Sequence, residues 1–300
     1  MSDIVKKLGP KLKYGIKTNE PMSRHTSWQV GGPADYYLYP VDTGELVEIV
    51  RFSKENEVPL YVLGNGTNLL VLDGGIRGMV VYIGDAFSYI KRENDRLTAG
   101  AGTPVTYLAR TAAEEGLTGL EFAIGIPGSL GGAIIMNAGA FGGYLGERVQ
   151  LVKLISMDGE ILELGSEECS FGYRTSNLAG KGIVVEVTLQ LKPGDPAEAE
   201  RLIEHYLVER SRRHPSLPSA GSVFRNLPEQ AAGRLIEEAG GKGMRIGGAV
   251  VSEQHANFIV NTGSATAADI LALIRSVQQL VKEKHGLELK PEVKIVGEER

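Results

Sequence analysis

Apolar and polar positions alternate in two rhythms along this 300-residue chain. Short apolar runs predict strands at Ala34 to Tyr39, Leu60 to Leu63, Leu69 to Leu72, Met79 to Ile83 and Ile183 to Leu191. Val149 to Ser156 and Glu160 to Gly165 predict a hairpin around Met157-Asp158-Gly159. A helical period appears after Asp42, where Asp42 and Glu45 have capping-box spacing and Leu46, Ile49 and Val50 supply the apolar face. Thr103 and Pro104 suit the N-cap and first position of a helix running to Glu115 and closed by Gly116. The first 33 residues are polar and irregular, with one short helix predicted near Ile4 to Leu12.

Lys192-Pro193-Gly194-Asp195-Pro196 reads as a linker. A polar helix to about Arg213 follows it, with Leu202, Ile203 and Tyr206 expected inward. From Ala220 the pattern predicts strand (Ser222 to Arg225), helix (Glu229 to Ala239), strand (Ile246 to Val251), strand (Asn257 to Asn261), helix (Ala267 to His285) and strand (Leu287 to Val296). That order, β-α-β-β-α-β, is a split βαβ domain. Thr266 is positioned to cap its long helix, whose inward face carries Ile270, Leu273, Ile274, Val277, Leu280 and Val281. The chain exceeds one ordinary core. It divides by pattern into α/β units at 1–84 and 85–195 and a third at 196–300, an α/β (α+β) class.

Composition removes several classes of function. The net charge of −5 gives no general nucleic-acid footprint. Cys169 is the single cysteine, which excludes an internal disulfide framework and a cysteine-rich zinc site. The five histidines have no H-x-x-x-H spacing, so no metal is expected. The N-terminus lacks the basic-then-apolar pattern of a secretory signal, and a cytoplasmic protein is expected.

Candidate chemistry centres on 119–146, G-L-E-F-A-I-G-I-P-G-S-L-G-G-A-I-I-M-N-A-G-A-F-G-G-Y-L-G. No charged side chain falls between Phe122 and Gly146, but eight glycines, Pro127 and Asn137 argue against a membrane span. Such a run can bring bare backbone against a flat or phosphorylated ligand. Ser129 could cap a short helix reaching Asn137, with free N–H groups aimed at an anion. The same run also suits a Gly-rich helix packed inside a core.

A second signal is Gly64-Asn65-Gly66-Thr67-Asn68, whose N–H groups could converge on an anion. A tight β-turn explains it as well. It is neither a dinucleotide fingerprint, since Leu69 takes the sixth position, nor a Walker loop. Arg174, in F-G-Y-R-T-S, is either a surface arginine or a fixed cation for an acidic ligand. Arg210, Arg212 and Arg213 crowd a helix end, a pattern expected of a solvated face or a phosphate contact. His255 alone reads as a structural histidine.

Four motifs together resemble the UDP-N-acetylenolpyruvoylglucosamine reductase family: G-N-G-T-N-L-L (64–70), I-P-G-S-L-G-G-A-I-I-M-N-A-G-A (126–140), Y-R-T-S (173–176) and A-G-S-V-F-R-N (220–226). K-P-E-V (290–293) completes the set in order. The resemblance runs from about Trp28 to Val296. The short segment between Arg174 and Ile183 matches the subclass that lacks a Tyr-bearing loop. One departure from the family pattern is Leu227, which separates Asn226 from Pro228.

The resemblance implies a p-cresol-methylhydroxylase-type FAD-binding region made of two α/β subdomains, 1–84 and 85–195, with a substrate-binding domain at 196–300. It implies non-covalent FAD, NADPH as co-substrate, and reduction of UDP-N-acetylglucosamine enolpyruvate to UDP-N-acetylmuramate in peptidoglycan precursor synthesis. Hydride reaches the enolpyruvyl C3 and a proton reaches C2. The family's motifs put FAD on Gly64, Asn65, Gly66, Thr67, Asn68, Gly125, Ile126, Pro127, Gly128, Ser129, Gly132 and Asn137. They make Arg174, Ser222 and Glu292 catalytic and add Arg225, Asn226 and His255 as substrate contacts. A monomer without a membrane span or nucleic-acid partner is expected. An oxidase on the same flavin fold, or a non-catalytic nucleotide-binding protein, would be the alternatives.

Overall fold

The structure is a computed structural model that describes residues 3–300. Its chain packs into two compact units, each assembled from separated segments. The first comprises Met1–Thr18, Tyr36–Asn65 and Gly78–Arg210; the second comprises Asn19–Asp35, Gly66–Arg77 and Ser211–Arg300.

In the first unit, helix Thr43–Glu55 begins at Asp42, whose side chain accepts from the Glu45 amide. The reciprocal bond of a capping box is displaced by one residue, because the Glu45 carboxylate accepts from Val41 N at 3.0 Å. The strand Leu60–Leu63 runs parallel to 79–82 of the strand Ile76–Tyr82. A five-stranded sheet follows, in the spatial order Ile161–Gly165, Val149–Ser156, Gly182–Gln190, Arg96–Gly100, Ile90–Glu93, with antiparallel neighbours throughout. The hairpin expected around 157–159 is its first pair, with Ile155 opposite Ile161.

Several expected elements shift. The short helix near the N-terminus is one α-helical turn, Asp3–Lys7, followed by a 3-10 turn, Gly9–Lys11. Helix Val105–Glu114 starts one residue later than expected. Thr103 does not cap it; its hydroxyl, fully buried, donates to Tyr89 O at 3.1 Å. Lys192–Pro193 is paired with Leu117–Thr118 in a short antiparallel ladder. On helix Pro196–Arg213 only Ala199 and Ile203 are buried, while Leu202 is 38% exposed and Tyr206 stacks on Phe141 with ring centroids 4.1 Å apart.

The second unit is closed by contacts that are distant in sequence. Trp28, fully buried, donates its indole N–H to Ile259 O at 2.7 Å, and Asn261 Nδ2 donates to Trp28 O at 2.9 Å. The strand Leu69–Val71 pairs in parallel with Lys294–Val296, residue for residue. A three-stranded antiparallel sheet is formed by Arg245–Ile246, Ala249–Val251 and Ile259–Asn261. The long helix is Ala267–His285, with Thr266 and Asp269 forming the capping box and Gly286 closing it in the left-handed region. Its first amides also donate to Asp73, from Ala267 N at 3.1 Å and Ala268 N at 2.8 Å. A carboxylate there satisfies otherwise orphaned N–H groups and complements the helix dipole. The buried face of this helix packs with Trp28, Leu70 and Phe224 in one core.

The strand expected at Ser222 to Arg225 does not form and is not part of that sheet. The segment is held by a bridge between Phe224 and Pro291. The preceding-helix expectation, Glu229 to Ala239, contracts to Ala232–Glu238.

Candidate active site

The Gly-rich stretch of the first unit is a support for two things at once. Its segment 128–131 is stitched onto 101–105. Val105 N donates to Gly128 O at 3.0 Å, Leu130 N to Thr103 O at 2.8 Å and Gly131 N to Ala101 O at 2.8 Å. The helix after Ser129 is Leu130–Ile135, and Ser129 makes no side-chain cap bond. The helix starts at Ser129 as expected but ends at Ile135 and not at Asn137, and the amides of Leu130 and Gly131 are bonded to carbonyls and not free for an anion. The Ser129 side chain instead lies against Gly64, where a Cβ would collide with its hydroxyl. A side chain at Gly64 would require the Ser129 hydroxyl to rotate away.

Gly132 is different. It is exposed, and the nearest neighbour of a Cβ placed there would be Ser129 Oγ at 3.7 Å. An open glycine beside a serine, on a run without charge, leaves backbone accessible to a broad ligand. Those features fit FAD. Gly125 and Ile126 end a fully buried 3-10 segment, Glu121–Gly125, packed against the Arg210 side chain. Burial pushes the Arg210 guanidinium below its ordinary value. Pro127 is exposed.

The same stretch carries the turn that presents Arg174. Gly172 and Thr175 exchange both backbone bonds, leaving Tyr173 and Arg174 at the turn. Arg174 has φ +53°, a left-handed conformation that costs an L-residue roughly 1–2 kcal/mol. Three bonds hold it. Asn137 Nδ2 donates to Gly172 O at 2.9 Å, Arg174 Nη2 donates to Gly139 O at 2.9 Å, and Ser176 Oγ donates to Ile135 O at 2.8 Å. Asn137 Oδ1 also accepts from Gly146 N at 2.8 Å, so both ends of this buried amide serve the turn and its support. The guanidinium lies 5.4 Å from the Tyr173 ring centre and 6.0 Å from that of Tyr144.

In the second unit, Gly66 has φ +60°, and a Cβ there would collide with the carbonyl oxygen of His25. Ser27 N donates to Gly66 O at 3.1 Å. Gly66 thus has to be glycine for the close approach of its own chain at His25. Thr67 and Asn68 follow. Asn68 Nδ2 donates to Glu292 O at 3.3 Å, and Lys294 N donates to Asn68 O at 3.0 Å. The strands on either side of 64–68 have different partners: Leu60–Leu63 pairs with 79–82, Leu69–Val71 with Lys294–Val296.

Ser222 and Glu292 are brought together. Glu292 N donates to Val223 O at 2.7 Å, and Arg225 N donates to Lys290 O at 2.9 Å. The two half-buried residues thus lie on paired segments, Ser222 immediately before the acceptor. On the other side Val223 N donates to Asn257 O at 2.8 Å. Asn257 was not singled out from sequence. Its only signal was a polar residue inside the apolar run from Ala256 to Val260, which becomes informative once its buried partners are seen.

The expected substrate contacts are placed as follows. Arg225 is half-buried beside Lys290. Asn226 is exposed, and its Oδ1 accepts from Ala232 N at 3.0 Å, capping the helix Ala232–Glu238 in place of Ala231, which has no side chain able to do so. His255 Nδ1 accepts from Asn257 N at 3.2 Å. Burial holds its imidazole below the ordinary histidine value and favours the neutral form. The His255 ring also packs against Phe258 and His214. No group of three or more metal-ligating side chains occurs among the described residues, and no helix is long and apolar enough to cross a membrane.

Comparison with known proteins gives this geometry its context. Residues 34–165 match the FAD binding domain family, and residues 213–296 match the UDP-N-acetylenolpyruvoylglucosamine reductase, C-terminal domain. The UDP-N-acetylenolpyruvoylglucosamine reductase of Heliobacterium modesticaldum is 51% identical over 93% of this chain and 90% of its own length. That of Caldanaerobacter subterraneus is 46% identical over 98% of both. The crystal structure of the Thermus caldophilus reductase superposes with a TM-score of 0.82 at 39% identity, covering 92% of this chain and 97% of that one. The expected α/β class with an FAD-binding region holds, and FAD is the cofactor. The chain belongs to the UDP-N-acetylenolpyruvoylglucosamine reductase family.

Proposed function

We propose that this chain reduces UDP-N-acetylglucosamine enolpyruvate to UDP-N-acetylmuramate, with NADPH as reductant, as a cytoplasmic monomer in peptidoglycan precursor synthesis. Identity of 51% over almost the whole length of a reductase is the observation that carries this reading. FAD held by the Gly-rich segments would supply two-electron hydride chemistry between NADPH and the enolpyruvyl C3.

The chain's own residues manage charge and the proton. Hydride addition to an enol ether conjugated with a carboxylate builds negative charge on that carboxylate. Arg174 is the cation for it. Its guanidinium is fixed by the Gly139 carbonyl and by a turn tied down at Gly172, so little reorganisation is needed when charge develops. Ser222 delivers the proton to C2. A serine hydroxyl is a weak acid, so position supplies its effectiveness. The bond from Glu292 N to Val223 O supports a pairing in which Glu292 orients Ser222 or polarises the substrate carboxylate. A Glu near an anion must be protonated or paired with a cation.

The FAD contacts follow the same logic. Gly132 leaves backbone open; Gly64, Asn65, Gly125, Ile126, Pro127, Gly128, Ser129 and Asn137 of the first unit, and Gly66, Thr67 and Asn68 of the second, would be the other residues toward FAD. Asn68 and Asn137 act chiefly as braces, since their side-chain amides are bonded to Glu292 O and to Gly172 O. Arg225 and His255 would meet the substrate; Asn226 acts through the helix it caps.

The visible spectrum under anaerobic conditions tests this. Yellow protein should bleach with NADPH and recover its colour with the enolpyruvyl sugar nucleotide. Bleaching without recovery would retain the flavoenzyme and reject the substrate. Colourless protein that FAD cannot reconstitute would reject both.

A further inference from the structure

Ser222 itself sits on a segment with little regular structure, yet its position is over-determined from one side by a single buried amide. Asn257 is 3% exposed. Its Oδ1 accepts from Phe224 N at 2.9 Å and its Nδ2 donates to Phe224 O at 2.8 Å. Its own carbonyl oxygen accepts from Val223 N at 2.8 Å. One residue thus does for 223–224 what a neighbouring strand would do, and it meets both polar groups of Phe224.

The loop that carries the amide is itself braced. Ser252 N donates to Phe258 O at 2.8 Å, Phe258 N to His255 O at 2.9 Å, and Ser252 Oγ accepts from Gln254 N at 3.2 Å. His255 Nδ1 takes the Asn257 N–H. The opposite edge of the serine segment is held by Glu292 N on Val223 O. Val223 and Phe224, the residues that follow Ser222, are therefore fixed between a side-chain clamp and a backbone pair.

We infer that Asn257 is the positioning residue for Ser222, acting on the proton-delivery half of the reaction and not on flavin reduction. The inference rests on the reading of Ser222 as proton donor. A buried structural amide would also stabilise the fold, so the decisive property is selectivity between half-reactions together with a pH signature.

Asn257→Asp supplies that signature. A neutral Asp carboxyl can accept from Phe224 N and donate to Phe224 O, reproducing the clamp. The ionised form can only accept, and it faces the Phe224 carbonyl with like polarity. Burial raises the pKa of such a carboxyl. Titratable groups around the clamp are His255, His214, Glu237 and Lys242 on one side, and Arg225, Lys290 and Glu292 on the serine and paired segments. Wild type is measured over the same range so that their contribution subtracts.

The FAD-loaded full-length variant is followed by anaerobic stopped-flow in two stages, reduction by NADPH and reoxidation by the enolpyruvyl sugar nucleotide. Displacement of a reacting group by about 1 Å costs on the order of 100-fold. Reoxidation is expected to be slowed by about that factor at pH 8.5 and to recover as pH falls to about 5.5, with reduction by NADPH within about twofold of wild type. Asn257→Ser, which cannot bridge both Phe224 groups and adds no charge, should slow reoxidation selectively at every pH. It serves if the Asp variant does not fold. Ser222→Ala is the reference. If it reoxidises at the wild-type rate, the reading of Ser222 falls and this inference with it. If Ser222→Ala is slow but the Asn257 variants lose both half-reactions equally, or the Asp variant shows no recovery in acid, the positioning role alone is overturned.

Discussion

Asn137 Nδ2 donates to the carbonyl oxygen of Gly172 at 2.9 Å, joining the Gly-rich stretch to the turn that carries Arg174. The other end of the amide takes the Gly146 N–H. Asn137→Ala strands one donor and one acceptor, which should cost about 1–3 kcal/mol of stability. It should also raise the KM for the enolpyruvyl substrate, because the arginine turn loses its support. Thermal unfolding and steady-state kinetics check the two effects, and an unchanged KM in a destabilised protein would reduce Asn137 to a fold residue.

Arg174 pays for its place with left-handed backbone, so stability and activity should separate there. Arg174→Gly relieves a strain of roughly 1–2 kcal/mol that offsets two ring contacts of about 0.5–1 kcal/mol each, and it loses the bond to Gly139 O, so the unfolding free energy should fall by about 1.5–3 kcal/mol. Substrate reduction should fall more than about 100-fold, as for loss of a preorganised charge partner. Arg174→Lys should recover only part, since an ammonium lacks the planar fork. Denaturant titration beside single-turnover reoxidation makes the comparison.

Gly132 separates flavin contact from protein packing, which Gly66 cannot do. Valine at Gly66 collides with His25 O and disrupts the loop whether or not FAD is nearby. The Cβ of a valine at Gly132 would have Ser129 Oγ as its nearest neighbour at 3.7 Å, and replacing a helical glycine gains a few tenths of a kcal/mol. Gly132→Val is expected to leave the apoprotein's melting temperature unchanged or slightly raised while weakening FAD at least about tenfold, as a ligand that relies on bare backbone would require. Flavin fluorescence titration gives the affinity; undiminished binding would remove Gly132 from the FAD surface.

His255 sets one limb of acid stability. Its folded value lies below 6.5, the ordinary value in the unfolded chain. Below pH 6.5 the unfolded chain takes a proton that the folded chain refuses, so stability falls with falling pH until the folded value is reached. Above 6.5 the group is neutral in both states and contributes no slope. His255→Gln should flatten the stability profile just below pH 6.5. An unchanged slope there would place the acid sensitivity elsewhere.

How far the sequence reached depends on whether a feature is local. The helix Ala267–His285 is found at the predicted residues, with its Thr266 cap, because apolar periodicity, capping box and closing glycine all lie within one segment. The hairpin around 157–159 and the strand near 183–191 are of the same kind. Family motifs likewise sit in contiguous residues, so FAD and the reductase family were legible from the chain. Helix starts were less so. Thr103 looks like a cap, but its hydroxyl bonds Tyr89 O in the packed structure, and Ser129 stands at the N-cap position without a side-chain cap bond.

Pairing between distant residues was decided only by the tertiary structure. Nothing local distinguishes Leu60–Leu63 from Leu69–Val71, yet one pairs with 79–82 and the other with Lys294–Val296, more than 200 residues away. Asn257 reaches Phe224 across 33 residues, and Glu292 N finds Val223 O across a longer interval still. Backbone donors and acceptors are alike at every position, so sequence pattern states that a segment needs partners without naming them. Burial chooses the partner, because an unpaired polar group there is costly and only the complete core sets which groups are buried together. The chain's residues thus determined the family, the cofactor and the local elements; the packed fold determined which of them hold Arg174, Ser222 and Glu292 in place.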